Sequence, residues 1–214
     1  MFEKNPTVSA PRRPRVVQRR GVERRRAILD AAEALLGEQG YEAATLKAIG
    51  ERAGIPTASV YHYFSDRHEV DTELMRVHVR EMDALISAEL ARPDLLTLRD
   101  AVNGVIDLLL AFFRRRPSSV ELWFAGGHGV LEELIHSSDA SQADKFWHFL
   151  TEKRLLAADT PQLVVRLAWA AGYRLFEAAF RSSPGGDGDV IGEARRLVAA
   201  YLSTYASQAQ RGDA

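Results

Sequence analysis

The sequence predicts an all-α protein: an N-terminal three-helix head containing a helix-turn-helix, followed by a C-terminal helical bundle body. Three observations predict it. Apolar residues recur at three- and four-residue spacing along most of the 214 residues, and no segment of note has the two-residue period of a half-buried strand. Gly and Pro interrupt the pattern at intervals that suit globular helices. The stretch Thr45 to Val70 reads as two short helices joined by a tight turn, then the start of a third.

Hydrophobic residues make up 46% of the chain and charged residues 27%, enough for a core and a solvated surface in one or two domains. The absence of Cys excludes disulfides and thiolate metal sites. The longest apolar run, Leu108 to Phe113, is too short to span a bilayer. The basic N-terminus lacks the apolar segment of a signal peptide, so a cytoplasmic protein without membrane contact is expected. The formal charge of −1 conceals a separation. Residues 1–26 carry Lys4, Arg12, Arg13, Arg15, Arg19, Arg20, Arg24, Arg25 and Arg26 against Glu3 and Glu23, a net +7 that leaves −8 for the rest. A basic end and an acidic body suit a chain that meets nucleic acid at one end.

Residues 1–21, with Pro6, Pro11 and Pro14 and few apolar side chains, are expected to form a basic disordered arm that lies on phosphates, or else a solubilising tail. A helix-turn-helix domain is expected over 22–70 and a ligand-binding and dimerisation domain over 71–214. Val22 to Gln39 is an amphipathic helix with Ile28, Ala31, Ala32, Leu35 and Leu36 inward, closed by Gly40. Leu46, Ile49 and Ala53 share a face of the next helix, which Thr45 caps. Gly54 suits a left-handed helix end, and Pro56 suits the start of the following helix. In helix 57–63, Val60 and Phe64 face inward together, leaving Thr57, Ser59, Tyr61, His62 and Tyr63 outside. Hydroxyls, phenols and an imidazole on one short helix suit a DNA groove, where they meet phosphates and base edges.

From about Arg24 to Leu74 the chain resembles the DNA-binding domain of the TetR family of bacterial transcriptional regulators. The residues that carry the resemblance are Gly40-Tyr41, Thr45 with Ile49-Gly50, Ala53-Gly54-Ile55, and Ser59-Val60-Tyr61-His62-Tyr63-Phe64. Departures at Pro56, Thr57, Ala58, Arg67 and His68 bear on the base contacts. The resemblance implies DNA contacts from Thr45, Lys47, Thr57, Ala58, Ser59, Tyr61, His62, Tyr63 and Arg67. Tyr61 and Arg67 are expected on phosphates, and Thr57 on bases. For Thr45 the N-cap is the main expected role and phosphate contact the secondary one, and Lys47 is most simply a solvated charge at a position that the resemblance places within reach of the groove.

Asp66 to Ala91 reads as one helix joining head to body, with Val70, Leu74, Val77, Met82, Leu85 and Ile86 inward. Further helices are expected at Leu98–Arg116, from Ser118 to the glycines 126, 127 and 129, onward to about Leu156, over 161–181, and after Asp189 as cap. The last two have wide apolar faces with small residues. The resemblance implies that they form a four-helix dimer interface. Trp123, Phe124, Trp147, Trp169, Tyr173 and Phe176 are explained by core packing singly; together, with His128 as a polar handle, they suit a cavity for an apolar or aromatic effector. His128, Glu132 and His136 fall on one helical face, but three ligands along two turns converge poorly, and no metal or other cofactor is expected. No phosphate loop, nucleophile elbow or zincin pattern occurs. The expected function is a homodimeric, ligand-responsive repressor on a double-stranded DNA operator. The alternatives are a helical enzyme, or a DNA-binding or interaction protein without an effector.

Overall fold

Gly54 sets the geometry of the N-terminal third. Its φ of 66° ends one helix in the left-handed region, where its N–H bonds back to Glu51 and Gly50 carbonyls. The computed structural model describes residues 14–125 and 129–207, with side chains from Arg19 onward. Among these residues the elements are α1 (Pro14–Gln39), α2 (Leu46–Ala53), α3 (Thr57–Val60), α4 (Arg67–Leu90), α5 (Leu98–Arg115), α6 (Pro117–Ala125), α7 (Val130–Glu152), α8 (Gln162–Ser182) and α9 (Gly188–Ser203). There is no strand among them, only one isolated bridge between Leu156 and Ala206.

Helix ends follow the local chemistry with a few shifts. Thr45 Oγ1 accepts from the Ala48 N–H at 3.2 Å, the expected cap. At α5, Thr97 and Asp100 form a reciprocal capping box. Asp187, not Asp189, caps α9, because its carboxylate reaches the N–H groups of both Asp189 and Val190. Helix α1 starts at Pro14, eight residues before the expected Val22, so the residues expected as an arm are partly helical. The expected arm over residues 1–13 and the pocket residue His128 lie outside the described residues. The expected recognition helix 57–63 is shorter than its pattern: α3 ends at Val60 and residues 61–63 are turns.

Two buried clusters divide the core. The first holds Ile28, Leu36, Ile49, Val60, Phe64, Val70 and Leu74 of the head, and also Leu122 and Leu131 from α6 and α7. The second, built on α5, α8, α9 and the far halves of α4 and α7, includes Ile86, Phe112, Leu150, Phe176 and Leu202. The head core therefore continues past residue 70 and takes in side chains that lie fifty or more positions later. Helix α4 is more polar inside than its pattern suggested: Asp71 and His78 are buried, while Val77 is only half-buried.

Candidate functional site

Two regions carry chemistry. The first is the face around α3. Gly50 lets α2 come close to the turn: a Cβ there would lie 2.9 Å from the Ile55 carbonyl oxygen and 3.1 Å from Val60 Cγ2. With that approach made and Val60 and Phe64 buried, Tyr61, His62 and Ala58 are exposed, and Thr57, Ser59 and Tyr63 are half-exposed. Thr45 and Lys47 are also exposed, Lys47 standing 3.9 Å from Glu51. Eight of the nine expected contact residues thus have exposed or half-exposed side chains on α2 or its N-cap, on α3 or in the turn after it. Tyr63 is divided between roles, since its ring packs against the head core and its carbonyl accepts from Arg25 at 3.2 Å.

Arg67 does not fit its expected role. Its Nε donates to Asp71 at 2.8 Å, both terminal nitrogens donate to the Tyr41 carbonyl at 3.2 Å, and the guanidinium lies 4.2 Å from the Tyr41 ring centre. Its partner Asp71 is 1% exposed. With its Nε on a buried carboxylate and both terminal nitrogens on a carbonyl, Arg67 is placed to brace the head rather than to extend from it. Tyr41 completes the network by donating its hydroxyl to Asp71 at 2.9 Å. Burial, then that hydrogen bond to the carboxylate, pushes the Tyr41 phenol up to about 12. Arg25 plays a parallel part, sitting 4.4 Å over the Phe64 ring and 3.8 Å from Glu73. The (i, i+4) spacing of Arg67 and Asp71 was the available sequence signal for this pairing; nothing local points to Tyr41.

The second region is a cleft of about 500 Å³ between α6, α7 and α8. Trp123, Phe124, Trp169 and Tyr173 line it, as expected. Trp123 lies 4.3 Å from Tyr173 and 5.6 Å from Phe124, ring centre to ring centre. Two of the expected residues are elsewhere. Trp147 borders none of the larger cavities, and its indole N–H donates to the Thr160 carbonyl at 2.9 Å. Phe176 is buried beside a small apolar void of about 40 Å³ between α5, α8 and α9. Glu132 and His136 line it too; the rest of the polar lining was not anticipated: Asp139, Arg166, Arg174, Glu177 and Arg181. Their helices read as ordinary solvated faces, and only the packing of α7 against α8 turns them toward one space.

The head and the cleft meet through α6. Leu122 is fully buried in the head core, and Glu121 accepts from the Tyr41 N–H at 2.9 Å. The next two residues, Trp123 and Phe124, wall the cleft. Alongside, Arg116 pairs with Glu33 of α1 and, at 2.6 Å, with Glu81 of α4. His78 Nε2, 3.6 Å from Glu33, together with Arg116, keeps the Glu33 carboxyl below the usual carboxylate range.

A helix-turn-helix head on an all-helical body with an internal cleft defines a DNA-binding transcriptional regulator of the two-domain helical type. Residues 28–70 match the family model described as bacterial regulatory proteins, tetR family, and residues 97–202 match the tetracyclin repressor-like C-terminal domain. The chain belongs to the TetR family. Among curated relatives it is 21% identical over 187 residues to the regulator BetI of Brucella anthropi, covering 84% of this chain and 92% of that one. It is 26% identical to BetI of Vibrio campbellii over 48% of this chain, a match that spans only about half (51%) of that relative's length. Among solved structures, a TetR-family regulator from Streptomyces coelicolor superposes with a TM-score of 0.62 at 26% identity, covering 85% of this chain and 99% of that one. The SmeT–triclosan complex superposes at 0.62 and 20% identity, covering 87% and 93%, a likeness of fold. No helix among the described residues is long and apolar enough to cross a membrane.

Proposed function

We propose that this regulator is a cytoplasmic repressor that binds a palindromic operator as a homodimer and leaves it when a small molecule fills the cleft. The observation that carries this reading is the double duty of α6, whose Leu122 and Glu121 grip the head while Trp123 and Phe124 face the cleft. An occupant that displaces those two rings moves groups that fix Tyr41, and with it the Arg67–Asp71 network under α3. Only an occupant that prefers the altered arrangement shifts the equilibrium, and coupling of about 1–3 kcal/mol is the usual scale.

Base contacts are assigned to Thr57, Ala58 and Ser59, and phosphate contacts to Tyr61, His62, Thr45 and Lys47. Dimerisation is assigned to the outer faces of α8 and α9, where Leu163, Leu167 and Leu197 are exposed at 62%, 51% and 45%. One short recognition helix per chain is too little to specify a site, so paired half-sites about one helical turn apart, roughly 34–36 Å between recognition helices, are expected. That a structural relative has been solved with triclosan supports an aromatic occupant in a body of this fold.

The test selects duplexes from a random pool and measures their release. Sedimentation at micromolar concentration should show a dimer on a palindromic duplex, and Trp123→Leu should leave that affinity intact while blunting release by an effector found in a compound screen. A monomer that binds the selected duplex specifically, or a Trp123→Leu variant released as readily as the parent, would overturn the reading.

A further inference from the structure

The cleft contains a carboxylate, set among its aromatic rings, that forms no ion pair with a described residue. Arg166 is held by both oxygens of Asp144 at 2.8 Å. Glu177 takes Arg174 at 2.6 Å and Arg181 at 3.0 Å, and Arg181 also lies 4.5 Å over the Phe124 ring. Asp139, on α7, forms no ion pair with any described residue. It sits where the cleft meets a small inner cavity lined by His78, Ser119, Ser138 and Gln142, so it borders both spaces. Trp123, Trp169 and Tyr173 line the same cleft, and the buried Trp169 indole N–H approaches the Asp139 carboxylate without completing a hydrogen bond of normal geometry.

We propose that the effector is an organic cation, an ammonium on an aromatic or apolar body, whose charge is set beside Asp139 and against the faces of Trp123, Trp169 and Tyr173. The proposal rests on the effector reading above and names the chemistry of that same cleft. A half-buried carboxylate with no ion-pair partner gains from a partner of opposite charge. Aromatic faces attract cations as well. A neutral guest would leave the Asp139 carboxylate without an opposite charge, and above about pH 7 an anion would be repelled by it. The arginines sit at the solvated rim, Arg166 on Asp144 and Arg174 with Arg181 sharing Glu177, so an anion drawn to them would be held there and not among the aromatic rings beside Asp139.

Burial pushes Asp139 up to about 7, with the Trp169 indole offsetting only part of that. The groups facing this space are Glu132 and His136 on α7, Arg166, Tyr173, Arg174, Glu177 and Arg181 on α8, and His78 on α4. Burial raises the Tyr173 phenol well above its ordinary value, so it stays neutral at physiological pH. Below about pH 7 a cation must displace the Asp139 proton. Its affinity should therefore climb with pH toward about 7 and then level off.

Equilibrium dialysis of three probes against the full-length protein at pH 8 tests the charge. The probes are (4-biphenylmethyl)trimethylammonium, its carbon isostere 4-neopentylbiphenyl, and 4-biphenylcarboxylate. The cation should bind at least about tenfold more tightly than the isostere, the scale of a desolvated cation–aromatic contact aided by a carboxylate. Asp139→Asn should erase that preference, and Asp139→Glu should retain most of it. If the isostere or the carboxylate equals the cation, or Asp139→Asn keeps the preference, the proposal falls and the effector reading stands. If none of the three binds, both fall.

Discussion

The head and the cleft handle charge in opposite ways. In the head, Arg25, Arg52 and Arg67 are each tied to a carboxylate: Arg25 to Glu73, Arg52 to Glu38 at 2.6 Å, and Arg67 to the buried Asp71. What remains around α3 is mostly neutral, a set of hydroxyls and phenols fixed on a braced frame. In the cleft Arg166 holds Asp144 and two arginines, Arg174 and Arg181, share Glu177, while Asp139 has no ion-pair partner among the described residues. The head's exposed face stands on a frame already tied together by ion pairs, whereas the cleft holds a carboxylate without an ion-pair partner that a guest can answer. A preorganised surface loses little on binding; an unsatisfied one discriminates strongly among guests.

The strongest way to break this comparison is at Arg67. If it braces the head, Arg67→Ala leaves Asp71 buried with Tyr41 as its remaining partner and destabilises the head by about 3 kcal/mol, the lower range for splitting a buried pair. Chemical denaturation followed by circular dichroism measures that loss. An unchanged unfolding midpoint together with a flatter salt dependence of DNA binding would return Arg67 to the phosphates. Next is Gly50→Ala, whose added carbon meets backbone at 2.9 Å and cannot be relieved by a side-chain rotation; a cost of about 1–3 kcal/mol is expected from overpacking, read by the same unfolding curves.

Smaller effects separate the exposed face from its frame. Thr57→Val should change sequence preference by about 1–3 kcal/mol at one base position, visible as an altered selected motif with the melting temperature unmoved. Tyr61→Phe should weaken all duplexes alike in fluorescence anisotropy, because a phosphate contact positions without specifying. The smallest effect belongs to the cleft without a guest. An acid whose folded pKa is raised binds its proton more tightly in the folded state. Asp139 therefore favours folding fully below its unfolded value near 3.8, and that contribution is lost as pH rises toward about 7. Asp139→Asn should flatten the fall in melting temperature across that window, and an identical pH profile for both proteins would show that Asp139 is not desolvated.

The sequence revealed the head more fully than the cleft. Ile28, Ile49, Val60 and Phe64 lie where their spacing placed them, because a helix-turn-helix is made of contacts between near neighbours in the chain. The bracing contacts of Arg67 were not legible, because its partners Asp71 and Tyr41 are fixed by tertiary packing and an arginine in a first helical turn looks the same whether it braces or binds. The aromatic wall of the cleft was legible as composition, and four of its members hold. Trp147 and Phe176 separate from them only once the rotation of α7 and α8 is known. Asp139 gave no signal, since a carboxylate in a polar helical stretch reads as solvated until a second helix covers it.

Helix α6 has a consequence for modularity. Leu122 fills the head core from a position fifty residues beyond the expected domain boundary. A head excised near residue 70 would carry a hole shaped for that leucine and a Tyr41 loop without its Glu121 clamp. Exchanging heads between such regulators would then require moving α6 with the head, which would carry Trp123 and Phe124 across as well. Operator choice and guest choice are thus linked within one nine-residue helix, and a transplant that alters the first inherits part of the second.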